Sequence, residues 1–413
     1  DFITLLNIMD YIWNTSSNSQ VLQACLRIYS ILFELCPNFL HIPAIVDRIR
    51  HCLVCNDTEL RFSAVICMKR VVATTPSFLY GSKEEHIVEL KTLLEEVLTC
   101  YQKCVLSDIA VQVNACSELY MDIINKRIAC LNPTDVASAW ALIRDISRVV
   151  MGDAPLLDIF SADWNKRKVV EKEEERVEEE NPDDQGSEAL TTSKAVENEM
   201  EWMWQASLLS LEGSYAVIRM LFSMVKKDDP IIYRILSELI RLCCHSTTIS
   251  YEGSQLECIQ TLGLCILNDV ITHYASVPDT EDASHHYIEQ FEIQIISAIR
   301  RVLTLSAVYD PVKLSVNIVY VLITSGVITD TISLNKLMQM LKPIEESSDN
   351  KTLVRIEQVK VQMMAKLFTL ALDPNPSIGS DICKGIVANV KQNADYWRAK
   401  WCIRIRRGLL DHQ

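Results

Sequence analysis

The chain has 413 residues, a formal net charge of −14 and 49% hydrophobic side chains, but only ten glycines, roughly a third of average usage. That scarcity excludes a turn-rich β-sandwich or a doubly wound nucleotide fold, and no apolar run reaches the length of a membrane helix. The acidic balance argues against a surface wholly given to nucleic acid, though not against one local basic patch.

Leu, Ile, Val, Glu and Lys dominate, which favours an all-α chain. From Phe2 to Trp13 the apolar residues Ile3, Leu5, Leu6, Ile8, Met9, Ile12 and Trp13 recur at helical spacing. Asn14 to Ser19 supplies turn and N-cap chemistry. A second helix over Val21–Leu35 puts Leu22, Cys25, Leu26, Tyr29, Leu32 and Phe33 on one side. Pro37 and Pro43 break and restart the pattern before a helix over Ile45–Val54. The next, Glu59 to Thr74, is preceded by Asp57 and keeps Leu60, Ala64, Cys67, Met68 and Val71 in one inward stripe, with the small Ala64 admitting a close neighbour. Asn132-Pro133-Thr134-Asp135 caps a helix running to about Met151.

The stretch 165–200 then changes character. Lys166 to Glu201 holds thirteen Asp/Glu against six Lys/Arg, a net of −7, with too little apolar surface to offset the entropy of ordering. The sequence is therefore expected to divide into an N-terminal helical block, 1–164, a disordered acidic linker, 165–200, and a C-terminal helical block, 201–413. In the last block, Lys226-Lys227 closes one helix and Asp228-Asp229-Pro230 opens the next. Further helices are expected at about 254–275, 285–307, 311–325, 331–342, 350–372, 377–391 and 394–410.

The Asp, Leu-Arg and Ala order of Glu59–Thr74 resembles the second helix of a HEAT repeat. Ser107–Ile124, with Asp108, Val111, Val113, Ala115 and Cys116, and the helix beginning near Ser19 are looser matches. These second helices start roughly 40 and 50 residues apart, bracketing the period of HEAT and armadillo repeats. The resemblance implies stacked hairpins with extended curved surfaces that hold other proteins. Leu208–Cys244 and Glu59–Cys100 also resemble the meiosis inhibitor family of helical-repeat scaffolds, needed for meiotic double-strand breaks.

Fifteen cysteines lie scattered through the helical patterns, among them Cys25, Cys67, Cys116, Cys258 and Cys265, where Ala or Val would also fit. They read as small core residues in a reducing compartment, cytoplasmic or nuclear. The sequons at Asn14, Asn56 and Asn350 are then coincidental. The chain begins at Asp1 without Met and reads as a fragment. Lys166-Arg167-Lys168 would be a weak nuclear-import patch.

Little points to chemistry. Cys52 and Cys55 form the only Cys-x-x-Cys, with no second ligand pair at a zinc-site spacing and no preceding strand for a redox motif. His285-His286, with His273 upstream, reads as a solvated helix start rather than a metal or pH site. Nucleotide-loop, nucleophile-elbow and metalloprotease motifs are missing, and Glu95-Glu96 and Glu345-Glu346 are adjacent and point apart on a helix. No catalytic, cofactor-binding or metal-ligating residues are expected, and no cofactor.

One surface signal stands out. Trp397, Arg398, Lys400, Trp401, Arg404, Arg406 and Arg407 crowd the C-terminal end. Such residues grip phosphate and stack bases, or anchor a protein partner. A helix with its Trp in the core and its basic residues near the last carbonyls is the favoured account of them. The expectation is thus an all-α protein, an α-solenoid of HEAT/armadillo-like hairpins with a disordered acidic insertion. It would act as a non-enzymatic scaffold for other proteins, not a membrane protein. The alternative is a nucleic-acid-associated nuclear factor, in the manner of the meiotic resemblance, working through the terminal helix.

Overall fold

Asp57 fixes the start of a helix on which much of the first half packs. Its Oδ1 accepts from the Leu60 amide at 2.9 Å, closing one of the donors left open at a helix start. In the computed structural model the described residues are 2–74, 84–130, 136–151, 188–226, 229–248, 254–280, 282–305, 308–342, 351–372 and 378–410. They are helical nearly throughout, with a single isolated β-bridge between Pro278 and His286.

The chain divides into two compact units, Asp1–Met224 and Val225–Gln413. The first contains α1 (Phe2–Thr15), α2 (Ser19–Leu35), α3 (Ile42–Leu53), α4 (Thr58–Thr74), α5 (Glu84–Leu106), α6 (Ala110–Cys130), α7 (Val136–Met151) and α8 (Glu188–Met224). Consecutive helices pair as hairpins: α1 with α2, α3 with α4, α5 with α6, α7 with α8. The second helix of each hairpin also packs on the second helix of the next, so that α2, α4, α6 and α8 form a row. The three sequence segments with HEAT-like second-helix character thus fall on consecutive members of one row.

The reading of α4 as carrying one inward stripe was too narrow. Leu60, Ala64, Cys67, Met68 and Val71 are buried as expected, and so are Arg61, Ser63, Val65 and Val72. Contact with α2, α3 and α6 encloses α4 on several sides. Each fully buried aliphatic side chain there contributes about 1.5–3 kcal/mol. Around α2 the sequence is followed closely: Asn18 caps it through the Gln20 amide at 2.9 Å, and Cys25, Leu26, Tyr29, Leu32 and Phe33 are buried. Arg48 of α3 joins the first three helices, reaching Asp10 of α1 at 2.5 Å and the Tyr29 hydroxyl of α2 at 3.0 Å.

Two features differ from the expected layout. The proposed linker, 165–200, lies mostly outside the described residues, as does Lys166-Arg167-Lys168, but from Glu188 onward the chain is already in α8. Ala, Leu, Lys and Glu in 188–199 are good helix formers and run straight into the apolar pattern after Met200. Residues 201–224, expected to open the second block, pack instead on α5, α6 and α7, and the division falls between Met224 and Val225.

The second unit contains α9 (Ile231–Thr248), α10 (Ser254–Tyr274), α11 (Glu292–Leu305), α12 (Tyr309–Thr324), α13 (Thr331–Met340), α14 (Lys351–Leu372), α15 (Ser380–Gln392) and α16 (Ala394–Leu410). Two rows are complete here: α9, α11, α13 and α15 pack in sequence, as do α10, α12, α14 and α16. A side-chain bond joins consecutive members of the second row: Asn317 Nδ2 of α12 donates to Asn268 Oδ1 of α10 at 2.6 Å, 49 residues apart. Asp330 caps α13 through the amides of Ile332 and Ser333. The expected helix from 285 begins later, because residues 287–291 form a 3-10 turn. Tyr287 holds that turn down, its hydroxyl donating to the Tyr233 carbonyl at 2.9 Å.

Candidate functional site: a terminal aromatic helix and a buried thiol cluster

The expected contact residues on α16 separate by burial. Trp397 is 0% exposed, its ring stacked on Trp401 at 6.2 Å and 27° and met edge-on by Tyr396 at 5.0 Å. Trp401 is half-buried and lies 5.9 Å from Phe368 of α14. Neither indole N–H has a hydrogen-bond partner. Lys400 is tied to Glu357 of α14, and Arg398 is exposed. The helix continues through Arg404, Arg406 and Arg407, whose side chains lie outside the described residues. Trp397 therefore belongs to the core, and Lys400 is committed to an ion pair within the unit.

The other sequence features resolve plainly. Cys52 is buried in α3 and Cys55 half-buried just after it, both thiols pushed up by burial, Cys52 to about 12. His285 Nδ1 pairs with Glu289 at 2.8 Å, a bond that raises the imidazole pKa. Glu96 takes a bidentate grip from Arg50 at 2.7 and 2.9 Å, joining α5 to α3. Glu345-Glu346 lies outside the described residues.

A different constellation was missed. Cys100 and Cys104 stand four residues apart on α5, so they share a face. The turn into α6 passes through Asp108 with φ +52°, a left-handed conformation that Asp tolerates better than most residues. This hairpin brings Cys116 against both. The Sγ–Sγ separations are 3.3 Å for Cys100–Cys116 and 3.8 Å for Cys104–Cys116, and all three sulfurs lie within 4.8 Å of one another. Each cysteine is 0% exposed. Gln112 Oε1 lies 3.8 Å from Cys104 Sγ. Arg61 of α4, only 2% exposed, rests against Cys104. Its Nη1 donates to the Cys55 carbonyl at 3.0 Å, its Nε has no partner, and no carboxylate forms an ion pair with it among the described residues. Hydrogen bonds from the Cys100 and Cys116 thiols, with the guanidinium beside it, hold the Cys104 thiol well below the usual range. The counterpart bond with Cys104 pushes Cys100 up. The signal available in the sequence was the Cys-x-x-x-Cys of α5, but the third partner depends on hairpin register, which spacing does not give.

Residues 231–409, running from α9 almost to the end of α16, match the family model described as the Laa1/Sip1/HEATR5 HEAT repeat region. Over these residues, under half of the chain, the helices are similar to a HEAT repeat region. The matched residues are those of the two stacked rows, α9 to α16. The match lies within the second unit. No curated protein matches the chain. Among solved structures, a circular tandem repeat protein with novel repeat topology and enhanced subunit contact surfaces aligns at 15% identity and a TM-score of 0.31, over 97% of this chain and 90% of that one. At that score the likeness adds nothing to the architecture argued from the helices.

Proposed function

We propose that this HEAT-like chain is a non-enzymatic scaffold or adaptor that holds other proteins. The observation that carries the reading is the complete two-row stacking of α9 to α16 across the residues that match a HEAT repeat region. In such an array each hairpin is stabilised by its neighbours, and the outer faces stay available along its length for partners. Fifteen cysteines spread along the chain support an intracellular setting, cytoplasm or nucleus. Among the described residues no helix is long and apolar enough to cross a membrane.

The test is crosslinking mass spectrometry of the tagged protein in cells, followed by reconstitution with the proteins recovered. A partner that crosslinks to the surface of α9–α16 and stays bound in high salt supports the scaffold reading. Nucleic-acid binding with a steep salt dependence, lost when Arg404, Arg406 and Arg407 are replaced by Gln, would overturn it in favour of a nucleic-acid factor.

A further inference from the structure

We propose that Cys100, Cys104 and Cys116, with the amide oxygen of Gln112 in the fourth position, form a structural site for one divalent, thiophilic ion of the zinc class. Four observations converge. The first is spacing: around a tetrahedral ion with metal–sulfur bonds of about 2.3 Å, sulfurs stand roughly 3.8 Å apart. The cluster holds its sulfurs at 3.3 Å, 3.8 Å and within 4.8 Å, so ligation needs adjustments of no more than about 1 Å. The second is the fourth donor. With a metal–oxygen bond of about 2.0–2.2 Å, sulfur and oxygen stand roughly 3.6 Å apart, and Gln112 Oε1 lies 3.8 Å from Cys104 Sγ.

The third is charge. Three thiolates around a divalent ion carry a net −1, which in a buried site demands a counter-charge. Arg61 supplies one positive charge, buried against the cluster, with its Nε unpaired and no ion pair of its own among the described residues. A monovalent soft ion would leave the site at −1 overall, so the balance selects a divalent one. The fourth is placement. Two ligands come from α5, one from α6 and Gln112 from the first turn of α6, with the counter-charge on α4. An ion there would pin the α5–α6 hairpin shut against the second-helix row. Ligation balances simply: the protons still held by the three thiols pass to solvent and the ion gives up its waters, with no electron transfer.

The experiment uses the full chain, stripped with chelator under reductant and then titrated with Zn(II), and with Co(II) or Cd(II) as spectroscopic probes. The expected result is one equivalent bound per chain, tetrahedral thiolate-type Co(II) absorption, proton release on binding and a raised melting temperature. Cys100→Ala, Cys104→Ala and Cys116→Ala, which keep a small apolar group in the core, should each lose the bound equivalent and the Co(II) band. Cys52→Ala combined with Cys55→Ala should keep both. Zinc should also slow alkylation of Cys100, Cys104 and Cys116 in the unaltered chain, a readout independent of whether any variant folds. Failure of the unaltered chain to bind near-stoichiometric metal, octahedral Co(II) spectra, or binding that survives all three substitutions would overturn the proposal. Recovery of a Cys100–Cys116 disulfide in metal-free protein purified without reductant, with no metal uptake after reduction, would do the same.

Discussion

Lys360, on α14, buries its ammonium group and donates to the Leu303 carbonyl in the last turn of α11 at 2.8 Å. Helix C-termini leave carbonyls unpaired and carry partial negative charge, so a cation there is well placed. No carboxylate pairs with it among the described residues, and burial pulls its pKa down from 10.5 to about 8.

A base whose folded pKa is depressed costs stability while it stays protonated. Below about pH 8 both states hold the proton and the cost is fully present; between about 8 and 10.5 only the unfolded chain holds it. Stability of the second unit should therefore rise by about 1–3 kcal/mol over that window. Urea unfolding at a series of pH values should show this slope, and Lys360→Met should flatten it. A slope unchanged in the variant would mean another group is responsible.

Trp397 and Trp401 stack but are not equivalent. Trp397→Ala should cost about 3–5 kcal/mol, the loss seen for a fully buried large aromatic, and Trp401→Ala less, because that ring is half-buried. Lys400→Gln, which breaks the pair with Glu357, should cost no more than about 1 kcal/mol. Thermal and urea melts of the three variants check the order, and equal losses at Trp397 and Trp401 would contradict the burial difference.

Gly263 of α10 is a close-approach position. A Cβ there would meet Ser246 Oγ of α9 at 2.0 Å and Ser246 Cβ at 3.1 Å. Gly263→Ala should destabilise the second unit by about 1–3 kcal/mol despite its gain in helix propensity. Adding Ser246→Ala should recover part of the loss, giving a coupling energy in a double-mutant cycle. Independent, additive effects would show that α9 shifts away freely.

Ala64, fully buried on α4, tests the helix that best matched a HEAT second helix in sequence. Ala64→Trp should destabilise the first unit by about 1–3 kcal/mol or more, since the neighbouring helices leave no room for an indole. An unchanged melting temperature would mean α4 can move without cost.

Periodicity made most helices readable, because apolar residues every three to four positions leave little alternative once glycine is scarce. The second-block helices from about 311 onward fall within a few residues of their expected bounds. What periodicity could not supply was register between helices. Arg61 lies outside the expected stripe of Leu60, Ala64, Cys67, Met68 and Val71, yet contact with three neighbouring helices buries it. Cys116 reads as a small core residue, which it is, but only the α5–α6 hairpin shows that it faces Cys100 and Cys104. Trp397 and Arg398 are neighbours in sequence and go to opposite environments, one to the core and one to solvent. The helix that begins at Glu188 starts inside the stretch expected to be acidic linker, where Ala, Leu, Lys and Glu favour helix.

The reach of the bonds between helices in the second unit has a consequence for how the protein is made. Asn268 meets Asn317 across 49 residues, Tyr233 meets Tyr287 across 54, and Leu303 meets Lys360 across 57. Each hairpin finds its docking surface in chain synthesised just before it, so contacts close over short sequence separations and fold quickly. A nascent chain leaving the ribosome can add one finished layer at a time, exposing a single apolar edge at any moment instead of a whole unfolded domain.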